Sequence, residues 1–199
     1  VAELNAALTE TSENAWTLLS FTDTSASLAD LNGLNGKTSV DLPGGFIMSV
    51  TGTAAELMEL LDGQATLSAA PGVPGIVQTA TITLTGVVTT AQANAAADAT
   101  LGVVTATIAP GTAATINAAL GAIGGLDALT ITLTDATVAA TDLSGLNGKT
   151  SVAVNASSVT TVTGTIAQLQ AAYAAGVAGL GDEAITVDGA TITVAEAIT

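Results

Sequence analysis

Leu133 to Val152 reads LTDATVAATDLSGLNGKTSV, and 112 positions earlier Phe21 to Val40 reads FTDTSASLADLNGLNGKTSV, ungapped and identical at 12 of 20 positions. The same offset carries Val50-Thr51-Gly52-Thr53 onto Val162-Thr163-Gly164-Thr165, and Leu57 onto Leu169. A long internal repeat marks an array in which one supersecondary unit recurs. The expected organisation is a single repeat array over 1–199, with long copies at about 17–128 and 129–199, the second incomplete.

Inside the long repeat runs a shorter rhythm. Thr alternates with aliphatic residues in Thr81–Thr85, Val104–Ile108, Thr130–Thr134 and Thr191–Val194, the period of a strand with one buried face. Between these lie segments with apolar residues three and four apart, predicting helices at Ala54–Leu61, Ala91–Ala97, Ala113–Leu120, Val138–Leu146 and Ile166–Ala175. Thr53 and Thr165 stand where N-caps belong, and Gly63, Gly121, Gly148 and Gly176 where a left-handed residue ends a helix. Four units in 112 residues give about 28 residues each, within the range of solenoid repeats. Strand, helix, strand order requires parallel pairing and right-handed crossovers. The expected fold is an α/β right-handed solenoid of strand-helix units on a parallel sheet, with a doubly wound α/β domain as its rival. Pro71–Gly75 reads as an inserted loop, and Ala195–Thr199 as the start of another helix in a chain excerpted from something longer.

Composition removes whole classes of function. The 199 residues carry 17 acidic and 2 basic side chains, net charge -15, with no His and no Cys. Most nucleophile, general-base and metal chemistry therefore lacks its usual residues, and an enzyme is not expected. The negative field repels phosphate backbones and anionic membrane surfaces, so nucleic acid is not an expected partner. The hydrophobic fraction of 49% rests on Ala, Val, Leu and Ile, with 2% aromatic, which suits closely stacked layers. Thr, Gly, Pro or Gln interrupts each uncharged stretch, Gln64 to Ala97 included, before the roughly 18 apolar residues that a span needs.

The segment TITLTDATVAATDLSGLNGKTSVAVNASSVTTVTGTIAQL, Thr130 to Leu169, resembles the tandem repeats of giant secreted, adhesin-like surface proteins of aquatic bacteria, marine cyanobacteria among them. That resemblance implies an extracellular or cell-surface array with a structural or adhesive role, and no catalytic residues. Some such proteins neighbour haemolysin-type calcium-binding repeats, whose Gly- and Asp-rich nonapeptide is missing here.

Gly33-Leu34-Asn35-Gly36-Lys37-Thr38 and its copy Gly145-Leu146-Asn147-Gly148-Lys149-Thr150 end like a phosphate-binding loop. The spacing excludes one, because the first Gly of such a loop would fall at Leu31 and Leu143. These residues read instead as helix C-caps: Gly36 and Gly148 left-handed, Lys37 and Lys149 toward the negative end of the dipole. The lysines are also placed to pair with Asp23 or Asp30, and with Asp135 or Asp142. A lysine-asparagine crosslink would need a buried lysine beside a carboxylate. No cofactor is expected; for calcium, the densest carboxylates are Asp182, Glu183 and Asp188. Thr81, Thr83, Thr85, Thr105, Thr107, Thr130, Thr132 and Thr134 outline a hydroxyl face for ice, glycan or another surface, or for O-glycosylation. The function expected is a structural module that stacks with neighbouring copies into a rod, filament or sheet. The alternative is a binding module using the Thr face.

Overall fold

The computed structural model describes residues 1–9, 22–38, 42, 47–63, 79–121 and 127–189. The loop at Pro71–Gly75, the strand at Thr191–Val194 and the helix from Ala195 lie outside them. Helices and strands alternate: α1 (Ala2–Ala7), β1 (Ser25–Ser27), α2 (Leu28–Asn35), β2 (Ser49–Thr53), α3 (Ala54–Gly63), β3 (Thr81–Val88), α4 (Thr90–Ala99) and β4 (Val104–Ile108). There follow α5 (Ala113–Ala119), β5 (Ala128–Thr130), β6 (Thr137–Ala139), α6 (Ala140–Asn147), β7 (Thr161–Gly164), α7 (Ile166–Ala174) and β8 (Ala184–Val187). The fold is mixed α/β. A five-stranded sheet has the order β1-β2-β3-β4-β5 and a three-stranded sheet the order β6-β7-β8, and the pairings β1/β2, β2/β3, β6/β7 and β7/β8 are parallel.

The chain divides into two compact units, Val1–Thr107 and Ile108–Thr199. In the first, α1 packs on α2, α2 on α3 and α3 on α4. Leu28, Leu31 and Leu34, three apart on α2, are buried with Val50 of β2, Leu57 and Leu60 of α3, and Ile82 of β3. The strand alternation does what its period requires: Ile82 and Leu84 point into this core while Thr81 and Thr85 face out. In the second unit α5 packs on α6 and α6 on α7, over Leu143, Leu146, Val162 and Leu169.

Caps set the helix starts. Thr53 and Glu56 form a capping box, with Glu56 N–H on Thr53 Oγ1 at 3.2 Å and Thr53 N–H on Glu56 Oε2 at 2.7 Å. Thr89 with Gln92, and Thr165 with Gln168, repeat the arrangement. Of the five glycines expected to be left-handed, Gly176 is, at φ +79, whereas Gly148 is right-handed at φ -70. Gly63 is the last residue of α3, and Gly121 has no positive φ. Gly36 also closes its helix right-handed, at φ -68. There the chain tightens rather than reverses, with Lys37 N–H on Leu34 O at 3.0 Å and Lys149 N–H on Leu146 O at 2.9 Å, the i to i-3 pattern of a 3₁₀ turn. A short turn of this kind needs no left-handed residue.

Several strands are shorter than their sequence pattern. Thr130–Thr134 contributes one residue to β5 and then single parallel bridges, Gly111 to Leu133 and Thr132 to Asn155; Asn155 pairs onward with Ala178. The helix expected from Val138 starts at Ala140, because Thr137–Ala139 pairs with Thr161–Thr163 as β6.

Candidate functional site

The repeated Gly-Leu-Asn-Gly-Lys-Thr segment builds a clasp between neighbouring helices. Lys37, just past the end of α2, donates from Nζ to the Asn5 main-chain carbonyl of α1 at 2.5 Å and to Asn5 Oδ1 at 2.8 Å. Asn5 Nδ2 donates to Asp30 Oδ1 at 3.2 Å, and Ser27 Oγ donates to Asp30 Oδ2 at 2.6 Å. The hydrogen bonds from Ser27 and then Asn5, aided by the positive amino group of Val1, hold the Asp30 carboxyl below the usual carboxylate range against a smaller opposing effect of burial. A Cβ on Gly33 would lie 2.4 Å from Asn5 Nδ2 and 2.6 Å from Oδ1, so the missing side chain at position 33 is what admits the Asn5 carboxamide.

The second unit repeats the clasp at the same offset. Lys149 Nζ donates to the Asn117 carbonyl and to the Leu120 carbonyl at 2.6 Å, both at the end of α5. Asn117 Nδ2 donates to Asp142 Oδ1 at 3.1 Å, and a Cβ on Gly145 would lie 2.8 Å from Asn117 Nδ2. The last carbonyls of a helix lack intrahelical donors, and an ammonium group there meets both that need and the negative end of the dipole. Each lysine thus serves the helix before its own. Neither pairs with Asp23, Asp30, Asp135 or Asp142 as the sequence led us to expect: among the described residues the ion pair is between the Val1 amino group and Asp23. Asp135 instead accepts Ala113 N–H at 2.7 Å, at the start of α5.

The clasp brings together an amine, a carboxamide and a carboxylate, the elements of a lysine-asparagine crosslink. That reaction needs an acid able to give a proton to departing ammonia. Both lysines are half-buried, and hydrogen bonds are what join the group.

Beyond each lysine sits a buried threonine. Thr150 Oγ1 accepts from Leu129 N–H at 2.9 Å and Val152 N–H at 3.1 Å, and lies 2.8 Å from Leu129 O. Thr100, after α4, does the same work: its hydroxyl donates to Ala80 O at 2.6 Å and accepts Gly102 N–H at 2.9 Å. A Cβ on Gly102 would fall 2.4 Å from that Ala80 oxygen, which requires glycine at the close approach of two backbones.

The Thr face is the other organised surface. In the first unit Thr81, Thr85, Thr105 and Thr107 are exposed and Thr83 is half-buried; in the second, Thr130 and Thr134 are exposed and Thr132 half-buried. Parallel register sets Thr51 opposite Thr83 and Thr53 opposite Thr85. The carboxylates considered for calcium do not converge. Glu183 accepts from Tyr173 Oη and from Gly181 N–H at 2.6 Å, Asp182 and Asp188 are exposed, and no group of three or more potential ligands occurs among the described residues. Among those residues no helix is long and apolar enough to cross a membrane.

Asn5 and Asn117 are the clasp members that sequence reasoning passes over. Their signal was present: Asn5-Ala6-Ala7-Leu8 recurs as Asn117-Ala118-Ala119-Leu120 at the offset of 112, upstream of the longer match. No family model, curated protein or solved structure matches this chain.

Proposed function

We propose that this chain is a structural module of an extracellular or cell-surface repeat protein, whose strand-helix turns stack as a right-handed solenoid and whose copies associate into a rod, filament or sheet. The observation that carries the proposal is the clasp, built twice from equivalent residues 112 positions apart and spent on joining one helix to the next. Strand order that follows the chain, and helices that pack on their neighbours in sequence, support stacking; a doubly wound domain reverses strand order at a switch point. Single bridges from Gly111 to Leu133, Thr132 to Asn155 and Asn155 to Ala178, at steps of 22 or 23 residues, add support from a second line of parallel pairing. Each turn leaves an apolar face that only a neighbouring turn covers. The absence of His and Cys from the sequence, and the likeness to adhesin-type repeats, favour a mechanical role over a catalytic one.

Negative-stain electron microscopy over a concentration series, with and without calcium, tests the assembly. Filaments or sheets of regular width are the expected result. Monodisperse short particles under every condition would overturn self-assembly.

A second function, binding through the Thr face, is favoured by one observation. Among the described residues, Thr51, Thr83, Thr85, Thr105 and Thr107 have no side-chain hydrogen-bond partner, which leaves their hydroxyls to a ligand.

A further inference from the structure

We propose that the outward face of β2, β3 and β4 binds the surface of crystalline water, with Thr51, Thr83, Thr85, Thr105 and Thr107 as the contact array. The proposal rests on the second function above and names its ligand.

Three strands present the same triplet, Thr51-Gly52-Thr53, Thr83-Leu84-Thr85 and Thr105-Ala106-Thr107. The middle residues point inward: Leu84 and Ala106 are 4% and 3% exposed. The register aligns the first two pairs directly, and the third strand is joined by Ile82 N–H on Val103 O at 2.9 Å. Parallel strands lie about 4.8 Å apart, and alternate residues along a strand about 6.7 Å, so the threonines form a two-dimensional lattice with a hydroxyl and a methyl at each node. Pairing restrains the backbone at every node, and β-branching restrains χ1, so little side-chain freedom is left to lose on binding.

Chemistry narrows the ligand. The chain carries 17 acidic residues, yet β1, β2, β3 and β4 contain no charged residue. A charged face would favour ions or an oppositely charged macromolecule; this one offers neither attraction. Binding of a soluble sugar relies on aromatic rings under its apolar face and on carboxylates or carboxamides bridging adjacent hydroxyls, and none occurs in these strands. What the lattice supplies is a repeating set of donors and acceptors with small apolar groups between them, spread over three adjacent strands. A ligand that matches must itself be extended, periodic, uncharged and made of hydroxyl-type donors and acceptors. The face of an ice crystal has those properties, and water already ordered over the threonine rows can join it without shedding a charged hydration shell.

The test measures freezing hysteresis and inhibition of ice recrystallisation on the full chain, beside Thr83→Lys, Thr105→Lys and the helix-surface control Ala91→Lys. Wild type and Ala91→Lys are expected to separate freezing from melting and to hold crystals small, and both lysine variants on the sheet to lose these effects. Thr83→Val keeps the β-branched shape and strand propensity and removes one hydroxyl, so it serves if a lysine variant melts early; partial loss is expected. Wild type without hysteresis or recrystallisation inhibition overturns the proposal, as do lysine variants as active as wild type. Binding to insoluble cellulose or chitin that Thr83→Lys abolishes, without ice activity, overturns the ligand while sparing the face. Binding to neither solid removes the second function as well, and none of these results bears on filament assembly.

Discussion

The two clasps differ in ways that separate what the repeat must keep from what it can vary. Both keep the asparagine, the aspartate, the glycine and the lysine. In the first, Lys37 divides its bonds between a main-chain carbonyl and the Asn5 side chain; in the second, Lys149 takes two main-chain carbonyls. The helix carrying the first clasp has a side-chain cap, Ser27, whereas its counterpart Ala139 has none. Asn32 of α2 reaches α3, donating to Glu56 O at 2.8 Å and leaving its own Oδ1 without a partner; the equivalent Ser144 bonds back to Ala140 O at 3.0 Å. Leu28, fully buried, corresponds to Ala140, also fully buried. The invariant set is the one whose members depend on each other across two helices. Of the residues that vary, Ser27 and Ser144 act within one helix and Leu28 fills core space, whereas Asn32 makes a bond to the next helix that its counterpart does without.

The largest expected effect comes from exchanging the unlike core residues. Leu28→Ala should cost about 2–5 kcal/mol in denaturant unfolding, because the first unit is packed around the larger side chain. A near-neutral result would mean that the two sites are interchangeable. Next come the lysines: Lys37→Met and Lys149→Met should each cost about 1–3 kcal/mol, Lys149→Met the more because it strands two main-chain carbonyls in place of one. Equal losses would erase that distinction.

Proteolysis reads the same clasps without removing the lysines. Lys37 and Lys149 are the only basic residues in the chain, and each is followed by a threonine that is 5% or 6% exposed. A Lys-specific protease should therefore cut the native protein slowly. Asn117→Ala, at a cost of about 1 kcal/mol, should speed cleavage after Lys149 and leave cleavage after Lys37 unchanged, and Asn5→Ala the reverse. Cleavage of wild type as fast as of either variant would show that the clasps do not restrain the chain.

Smaller effects belong to the caps. Ser27→Ala should lose about 1 kcal/mol, and Ala139→Ser should gain about 0.5 kcal/mol by supplying the missing acceptor; a gain at Ala139 would bring the second helix into line with the first. The smallest is a pH effect. Because the folded pKa of Asp30 is lowered, its stabilisation is present above its unfolded value near 3.8 and is lost as pH falls through the folded value. Asp30→Asn should flatten the acid limb of an unfolding titration below about pH 4, because it lowers stability at neutral pH and converges on wild type in acid.

Much of the fold was legible in local pattern. The helices at 54–63, 90–99, 113–119 and 166–174 and the strands at 81–88 and 104–108 follow periods that encode which side is buried, and capping threonines mark where helices begin. The short strands β1, β6 and β8 were not legible, because three or four residues carry too little alternation; parallel partners assign them. The connection from β2 to β3 is longer than that from β7 to β8, Ser49 pairing with Thr81 but Thr161 with Ala184, which also breaks the simple offset.

By itself the sequence determined the repeat, the alternation of strand and helix, the outward threonines and the uncharged character of that face. These follow from composition and from periods of two and 3.6 residues, which act within a few positions of each residue. Only the tertiary structure decided what the lysines hold. Their acceptors lie 29 to 32 residues away, at the end of the preceding helix, and no local period reports them. A hydrogen bond at that range exists because two helices pack closely enough to leave carbonyls in need of a donor, and Gly33 and Gly145 are small enough to let the partner in.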